Sequence, residues 1–369
     1  MQPSGALRNT TPSADELDER IGHFIARADG GEAAFDQLAL DLFAYQYAAN
    51  EPYQRYCDRI GGTPFSVHRW QDVPAVPTAA FAQIRLACFP PEHARVTFLS
   101  SGTTHATRSR LELENAKLYD ASLLTHFRQR VLPNAAAMQI VALAPPFSIA
   151  PNSSLSYMLS KISDVFGTPR DGFFHDGASL DFAGAAGALR QAEGPMLIIG
   201  TAFAFVHFFD RCRETAERFS LPPGSRVVET GGFKGKSREV DRDELYSWFS
   251  TLLGVPRELC VSEYGMCELG SQWYDANLAD IVAGRTPHAN LKVGPHWAKT
   301  LVVDRVTASP VRDGDIGLLQ IFDLSNRGSV AAVLTGDLAR HAEGGFELFG
   351  RAPGEPPKGC SVAVDAALS

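Results

Sequence analysis

The chain has 369 residues, 45% of them hydrophobic, which suffices for a large packed core without covalent or metal staples. Its formal net charge of −8 excludes sequence-independent nucleic-acid binding, which needs a basic face against phosphates, yet leaves room for a nucleotide held by local backbone amides. Six cysteines (Cys57, Cys88, Cys212, Cys260, Cys267 and Cys360) form no CxxC pair, so neither a zinc cluster nor a disulfide framework is indicated, and a reducing, cytoplasmic setting fits best.

The first ten residues read as a frayed leader, with no apolar run behind a basic segment, and no stretch of the chain reaches the ~18 apolar residues a membrane span needs. Ser13 followed by Glu16 is a capping-box pattern, after which Leu17, Ile21, Phe24 and Ile25 fall on one helical face. Phe35, Leu38, Leu42 and Tyr45 do the same for a second helix. Residues 1–75 are therefore expected to form a helical segment packed on a main domain, with Pro74 and Pro77 punctuating the connection.

From about residue 95 short apolar runs alternate with helical stretches: Arg95–Leu99, Ile140–Leu143, Met196–Ile199, Arg226–Val228, Leu259–Ser262, Leu318–Phe322 and Val333–Leu334. This alternation predicts an α/β fold with a mainly parallel sheet covered by helices. Ligands in such folds gather beyond the carboxyl ends of the strands. Nearly every polar cluster of the chain directly follows one of these runs.

The first cluster, Ser100, Ser101, Gly102, Thr103 and Thr104, combines small hydroxyl residues with a glycine, so that backbone amides and side-chain donors can converge on phosphate oxygens. Arg108 and Arg110 add cations, and a helix-like stretch with Leu111, Ala116 and Tyr119 follows. The cluster is not a Walker loop, because GxxxxGK[ST] is absent. On composition alone it is equally an ordinary Ser/Thr-rich turn. Next come Asn152, Ser153 and Ser154, which read first as a helix cap. Phe203, Phe205, His207 and Phe208 follow the run MLIIGT; they suit either an apolar acyl or aryl pocket or the core, with His207 at the core or a pocket edge.

The second polar cluster, VVETGGFKGK, offers close backbone approach at Gly231 and Gly232 and positive charge at Lys234 and Lys236; a glycine turn with solvated lysines fits as well. A helix announced by Asp241 and Glu244 follows. The third cluster reads Tyr264, Gly265, Met266, Cys267, Glu268, where Glu268 is a carboxylate of the kind Mg²⁺ takes beside triphosphate oxygens. The last is Thr335-Gly336-Asp337, expected after a strand, where the aspartate can accept both ribose hydroxyls. Near the end, Cys360 stands in KGCS beside Lys358, and neighbouring cations favour a reactive thiolate.

Taken in order, these clusters resemble the adenylate-forming superfamily, and the resemblance to its LuxE-type acyl-protein synthetases runs from about Phe98 to Cys360, through Leu143–Met158 and Pro295–Asp304. SSGTT is similar to the superfamily's phosphate-binding signature, with His105 at a usual glycine and Arg108 near a usual lysine. The resemblance implies the large N-terminal domain of such an enzyme over residues 76–350, and a hinge-like tail over 351–369 with the C-terminal lid domain absent or vestigial. It implies ATP and Mg²⁺, with Gly231 and Gly232 along the adenine, Tyr264 packed on it, Gly265 beside it, and Glu268 on the metal. Cys267 replaces a threonine whose hydroxyl commonly touches the α-phosphate. Gly350-Arg351 resembles the hinge signature, whose arginine contacts the nucleotide; with the lid absent, either Lys234, Arg351 or Lys358, or a partner protein, is expected to carry part of the charge stabilisation that a lid lysine supplies. The implied reaction is ATP-dependent activation of a carboxylic acid, fatty or aryl, then transfer of the acyl group to a protein thiol. Cys360 is the candidate acceptor and an acyl-reductase the implied partner. Transfer to an external acceptor (coenzyme A, a carrier protein or an amine) and a non-catalytic nucleotide-binding scaffold are the competing readings.

Overall fold

The computed structural model describes residues 11–27, 30–100, 108–231, 240–288 and 290–352. Helix α1 (Ala14–Ile25) starts where Ser13 Oγ accepts from the Glu16 amide at 3.2 Å, and Asp15 and Glu16 place negative charge at its positive end. Leu17, Ile21, Phe24 and Ile25 are its buried face, as their spacing requires. In α2 (Glu32–Ala49), Phe35, Leu38 and Leu42 are buried and Tyr45 is half-buried. Asn50 Oδ1 caps α3 (Glu51–Ile60), a helix that the sequence patterns did not single out, and Gly61, at φ +75°, closes it.

The remaining elements follow in order: β1 (Val76–Pro77), α4 (Ala80–Gln83), β2 (Val96–Leu99), β3 (Arg110–Leu113), α5 (Lys117–Arg130), β4 (Gln139–Leu143), α6 (Ser154–Phe166), β5 (Gly172–Phe173), α7 (Phe182–Arg190), β6 (Met196–Thr201) and α8 (Ala202–Glu214). Then come β7 (Arg226–Thr230), α9 (Arg242–Leu253), β8 (Cys260–Tyr264), β9 (Trp273–Asp275), α10 (Asn277–Val282), β10 (Leu291–Val293), β11 (Ala298–Val303), β12 (Ile316–Asp323), β13 (Ala332–Ala342) and β14 (Gly345–Arg351). Among the described residues the main sheet runs β11-β12-β13-β14-β10-β9-β8-β7-β6-β4-β5, with β1 beside β13.

The chain has the expected α/β fold. Its sheet is parallel from β5 through β4, β6 and β7 to β8, and β8 is the seam at which pairing turns antiparallel towards β9. Strands of the parallel part are covered on both faces, which is why they read as continuous apolar runs. Side chains alternate strictly. Ile140, Ala142, Leu197, Ile199, Val228 and Val261 join the core under α1–α3, α5 and α6, whereas Val141, Leu143, Met196, Ile198, Val227 and Cys260 join the core under α7–α9. Phe205, Phe209 and Phe249 are fully buried in the second core, each stabilising the fold by about 1.5–3 kcal/mol.

Two segments differ from expectation. Arg95–Leu99 does not join the main sheet; β2 pairs with β3 as a separate antiparallel ribbon in which Phe98 faces Leu111. Leu111 therefore belongs to a strand, and the helix begins only at Lys117. The reason is backbone pairing: Leu111 and Leu113 bury themselves against β2, which a helix starting at Leu111 would forbid.

Candidate functional site

Because β4, β6, β7 and β8 are parallel, their carboxyl ends share one edge. Beyond β7 the chain turns at Gly231, whose φ of +69° lies in the left-handed region, and among the described residues no atom stands within 4 Å of the place a Cβ would occupy. Beyond β8 come Gly265 and the buried Cys267 and Glu268. The open side of Gly231 lets a ligand approach the main chain closely.

Tyr264, the last residue of β8, donates from its hydroxyl to Asp337 Oδ2 at 2.9 Å. Its ring rests against Phe346 and Trp273, with centroids 5.7 and 6.3 Å away. Burial and the adjacent Asp337 carboxylate push the phenol well above its ordinary pKa, so it stays a donor. Asp337 lies inside strand β13 rather than in a turn after it. The β13–β14 register shifts between Asp337 and Ala339, an irregularity of the kind that re-aims a side chain. Across the ladder Asp337 faces Arg351, whose Nε is 3.5 Å from Oδ1 and whose side chain is 82% exposed. Among the described residues nothing stands within 4 Å of a would-be Cβ at Gly336 or at Gly350, the latter at φ +88°. Hence a carboxylate, a phenol and a solvent-facing guanidinium meet beside three open glycines.

The neck of the Ser/Thr-rich segment closes on itself. The Ser100 amide donates to Ser109 O at 2.9 Å, and the Ser109 amide donates to Ser100 Oγ at 3.0 Å. Leu99 N donates to Asn152 O at 2.9 Å, tying the neck to the approach to α6. Ser153 Oγ accepts from the Ser156 amide, so Ser153 is the helix cap that its residue type suggested. Cys267 Sγ contacts Ser109 O at 3.8 Å, which brings the third cluster against the first. Arg108 is exposed beside the neck. Arg110 is engaged elsewhere, with Glu112, which also pairs with Arg85 at 2.6 Å. Ser101, Gly102, Thr103, Thr104, Gly232, Lys234, Lys236, Lys358 and Cys360 lie outside the described residues.

Other sequence candidates go to the core. Phe205 and Phe208 are buried under α7–α9, because Thr201 caps α8 immediately after β6 and turns the aromatic run into a helix face. His207 is exposed rather than in the core, with its ring 4.4 Å from the half-buried Phe203. The five described cysteines are all buried and none is in a disulfide, and burial pushes the thiols of Cys57, Cys88 and Cys212 up to about 12. Among the described residues no three His, Cys, Asp or Glu side chains converge as a metal cage, and no helix is long and apolar enough to cross a membrane.

Sequence reasoning passed over the polar groups beneath this edge. Thr230 Oγ1 donates to Glu263 Oε2. Burial raises the Glu263 carboxyl to about 7, against the Thr230 hydrogen bond and the charge of Lys292. Lys292 is buried, pairs with Asp275 Oδ1 at 2.9 Å and donates to Ser262 O at 2.8 Å. Arg242 reaches Asp275 Oδ2 at 2.7 Å, and Tyr246 donates to Glu229 at 3.3 Å. Burial raises Glu229 and lowers Lys292. The signal was available: Glu229 and Glu263 are acidic residues in the next-to-last positions of two short strands, RVVET and CVSEY.

Comparison with known proteins gives one family and one fold. The family model described as "Acyl-protein synthetase, LuxE" matches residues 19–369. A long-chain-fatty-acid–luciferin-component ligase of Aliivibrio fischeri is 22% identical over 319 residues, covering 82% of this chain and 78% of that protein. The ligase of the same name from Vibrio harveyi is 23% identical over 355 residues, covering 90% and 88%. Among solved structures, an open 2-hydroxyisobutyryl-CoA ligase in complex with 2-HIB-AMP and CoA superposes with a TM-score of 0.64 at 16% identity, over 93% of this chain and 80% of that one. ATP-bound MatB from Rhodopseudomonas palustris superposes at 0.50 and 15% identity, over 70% and 48%. At these identities the two structures speak for the fold.

Proposed function

The chain belongs to the LuxE family of acyl-protein synthetases, ligases that activate an acid and transfer its acyl group, and on that premise we propose which of its residues do so. The observation that supports the reading best is the Tyr264–Asp337–Arg351 constellation, set at the carboxyl edge of the parallel strands beside the neck of the Ser/Thr-rich loop.

In the first step a carboxylate oxygen of the acid attacks the α-phosphorus of ATP. One P–O bond forms, the bond to the β-phosphate breaks, and pyrophosphate leaves with acyl-AMP remaining. Amides and hydroxyls from Ser100 to Thr104, with Arg108, hold phosphate oxygens. Asp337 spends two of its lone pairs on Tyr264 and Arg351 and keeps others for the ribose hydroxyls. Tyr264, Gly265, Gly231 and Gly232 line the base, and Cys267 packs the neck of the phosphate loop. Glu268 would be the protein carboxylate for Mg²⁺, which would supply positive charge beside the phosphate oxygens. Lys234 and Arg351 face the charge that develops as pyrophosphate departs.

In the second step a thiolate attacks the acyl carbonyl and AMP leaves, giving a thioester. Cys360 is the proposed acceptor, and a partner such as an acyl-reductase or a carrier protein takes the group onward, in the cytoplasm where thiols stay reduced. The first step is tested by exchange of labelled pyrophosphate into ATP with a panel of fatty and aryl acids; silence with every acid, partners included, sinks the reading. The second is tested by Cys360→Ser, which should form acyl-AMP while losing covalent acyl-enzyme. Undiminished labelling would move the acceptor elsewhere.

A further inference from the structure

Glu263 has no part in the scheme above, yet it sits between the residues that carry it. Thr230 and Glu263 stand in register across the parallel β7–β8 ladder, and the Thr230 hydroxyl donates to Glu263 Oε2. The other carboxyl oxygen, Oε1, lies 2.4 Å from where a Cβ on Gly265 would be, so it occupies space that only glycine at 265 leaves. On one side of this contact is Gly231, on the other Tyr264. Charged and titratable groups face Glu263 from several elements: Glu229 of β7, Lys292 of β10, Tyr119 of α5 and Tyr274 of β9. Among the described residues no lysine or arginine makes an ion pair with it, so ion pairing does not explain a carboxyl group that is 7% exposed. Burying such a group is costly unless the contact it makes is needed.

We propose, resting on the nucleotide reading of this edge, that Glu263 is a positioning residue that clamps the ends of β7 and β8 through Thr230 and Gly265. It thereby holds Gly231 and Tyr264 at the separation a bound nucleotide spans. The clamp works by geometry, since a carboxyl oxygen accepts from Thr230 whether or not the group is ionised, and a carboxamide oxygen can replace it.

The test is calorimetric binding of ATP, with Mg²⁺ present, to the full chain. Glu263→Ala and Thr230→Val should each weaken ATP by ~10-fold, the weight of one hydrogen bond in a desolvated site. Glu263→Gln should stay within ~3-fold of the parent, a rescue that a general loss of packing would not give. The Thr230→Val/Glu263→Ala double variant should bind no worse than the weaker single, because both remove the same contact. Unchanged affinity in Thr230→Val, or additive losses in the double variant, would overturn the clamp even if Glu263→Ala does not fold. A parent protein that binds no ATP would instead overturn the nucleotide reading.

Discussion

Asp323 and Glu263 are both buried carboxyl groups at the ends of strands, and the chain surrounds them very differently. Asp323 receives four hydrogen bonds: from the Gly270 amide at 3.0 Å, Ser271 Oγ at 2.8 Å, the Ser325 amide at 3.0 Å and Ser325 Oγ at 2.6 Å. Ser271 passes the network on to Ser122 and to Trp297 Nε1. Among the described residues Glu263 receives one, from Thr230. Burial raises both groups, but in Asp323 four donors oppose it, and in Glu263 one does. A saturated network of this kind specifies the core, whereas an under-supplied carboxyl at an open edge is the mark of a site that trades local stability for ligand geometry.

The contrast can be broken at either end. The largest effect is expected for Asp323→Ala, which strands four donors and should lower the unfolding free energy by ~3 kcal/mol or more in urea titration, while the folded fraction still binds ATP with parental affinity. Asp337→Ala should behave in the opposite sense. Pyrophosphate exchange should fall ~100-fold, whereas stability should fall by only about 1–2 kcal/mol, the cost of leaving the buried Tyr264 hydroxyl without its acceptor.

A smaller effect separates the two carboxyls by pH. The folded Glu263 carboxyl, at about 7, lies above its ordinary 4.5, so the fold favours the neutral form. Its contribution is complete below 4.5 and is lost as pH rises through 7. Glu263→Gln has nothing to lose, so its stability relative to the parent should improve between pH 5 and 7.5, by on the order of 2 kcal/mol, and level off above. A pH-independent difference would place the shift elsewhere. The smallest effect is expected for Ser13→Ala, which removes a cap remote from both carboxyls. It should cost about 1 kcal/mol in stability and leave ATP affinity untouched.

How much of this was legible in the sequence depends on the range of the interaction. The buried stripe of α1, its Ser13 cap and the Ser153 cap are local, and their patterns name the right residues. Every apolar run from Ile140 to Val333 is a strand, for the same reason. The clusters at Tyr264 and Asp337 were readable as chemistry, but not their meeting: it depends on the register shift in β13, which leaves no mark in Thr335-Gly336-Asp337. The aromatic set after Met196 misled because helix and loop readings share its composition, and only the Thr201 cap decides that Phe205 and Phe208 turn inward. The Thr230–Glu263 contact joins residues 33 apart and exists only once β7 and β8 are aligned.

Strand β8, where parallel pairing gives way to antiparallel, also sets an order of events in time. Asp337 and Arg351 face each other across a hairpin closed by a two-residue turn at Gly344, whose φ is +81°, and such hairpins form within microseconds once nucleated. Tyr264 is 73 residues from Asp337 and rides on strands whose parallel partners are joined through helices, the slow class of contact. One half of the site therefore waits for the other. During refolding from urea, binding of a fluorescent ATP analogue should rise only after the far-ultraviolet circular dichroism signal has recovered, making nucleotide capture a clock for completion of the sheet.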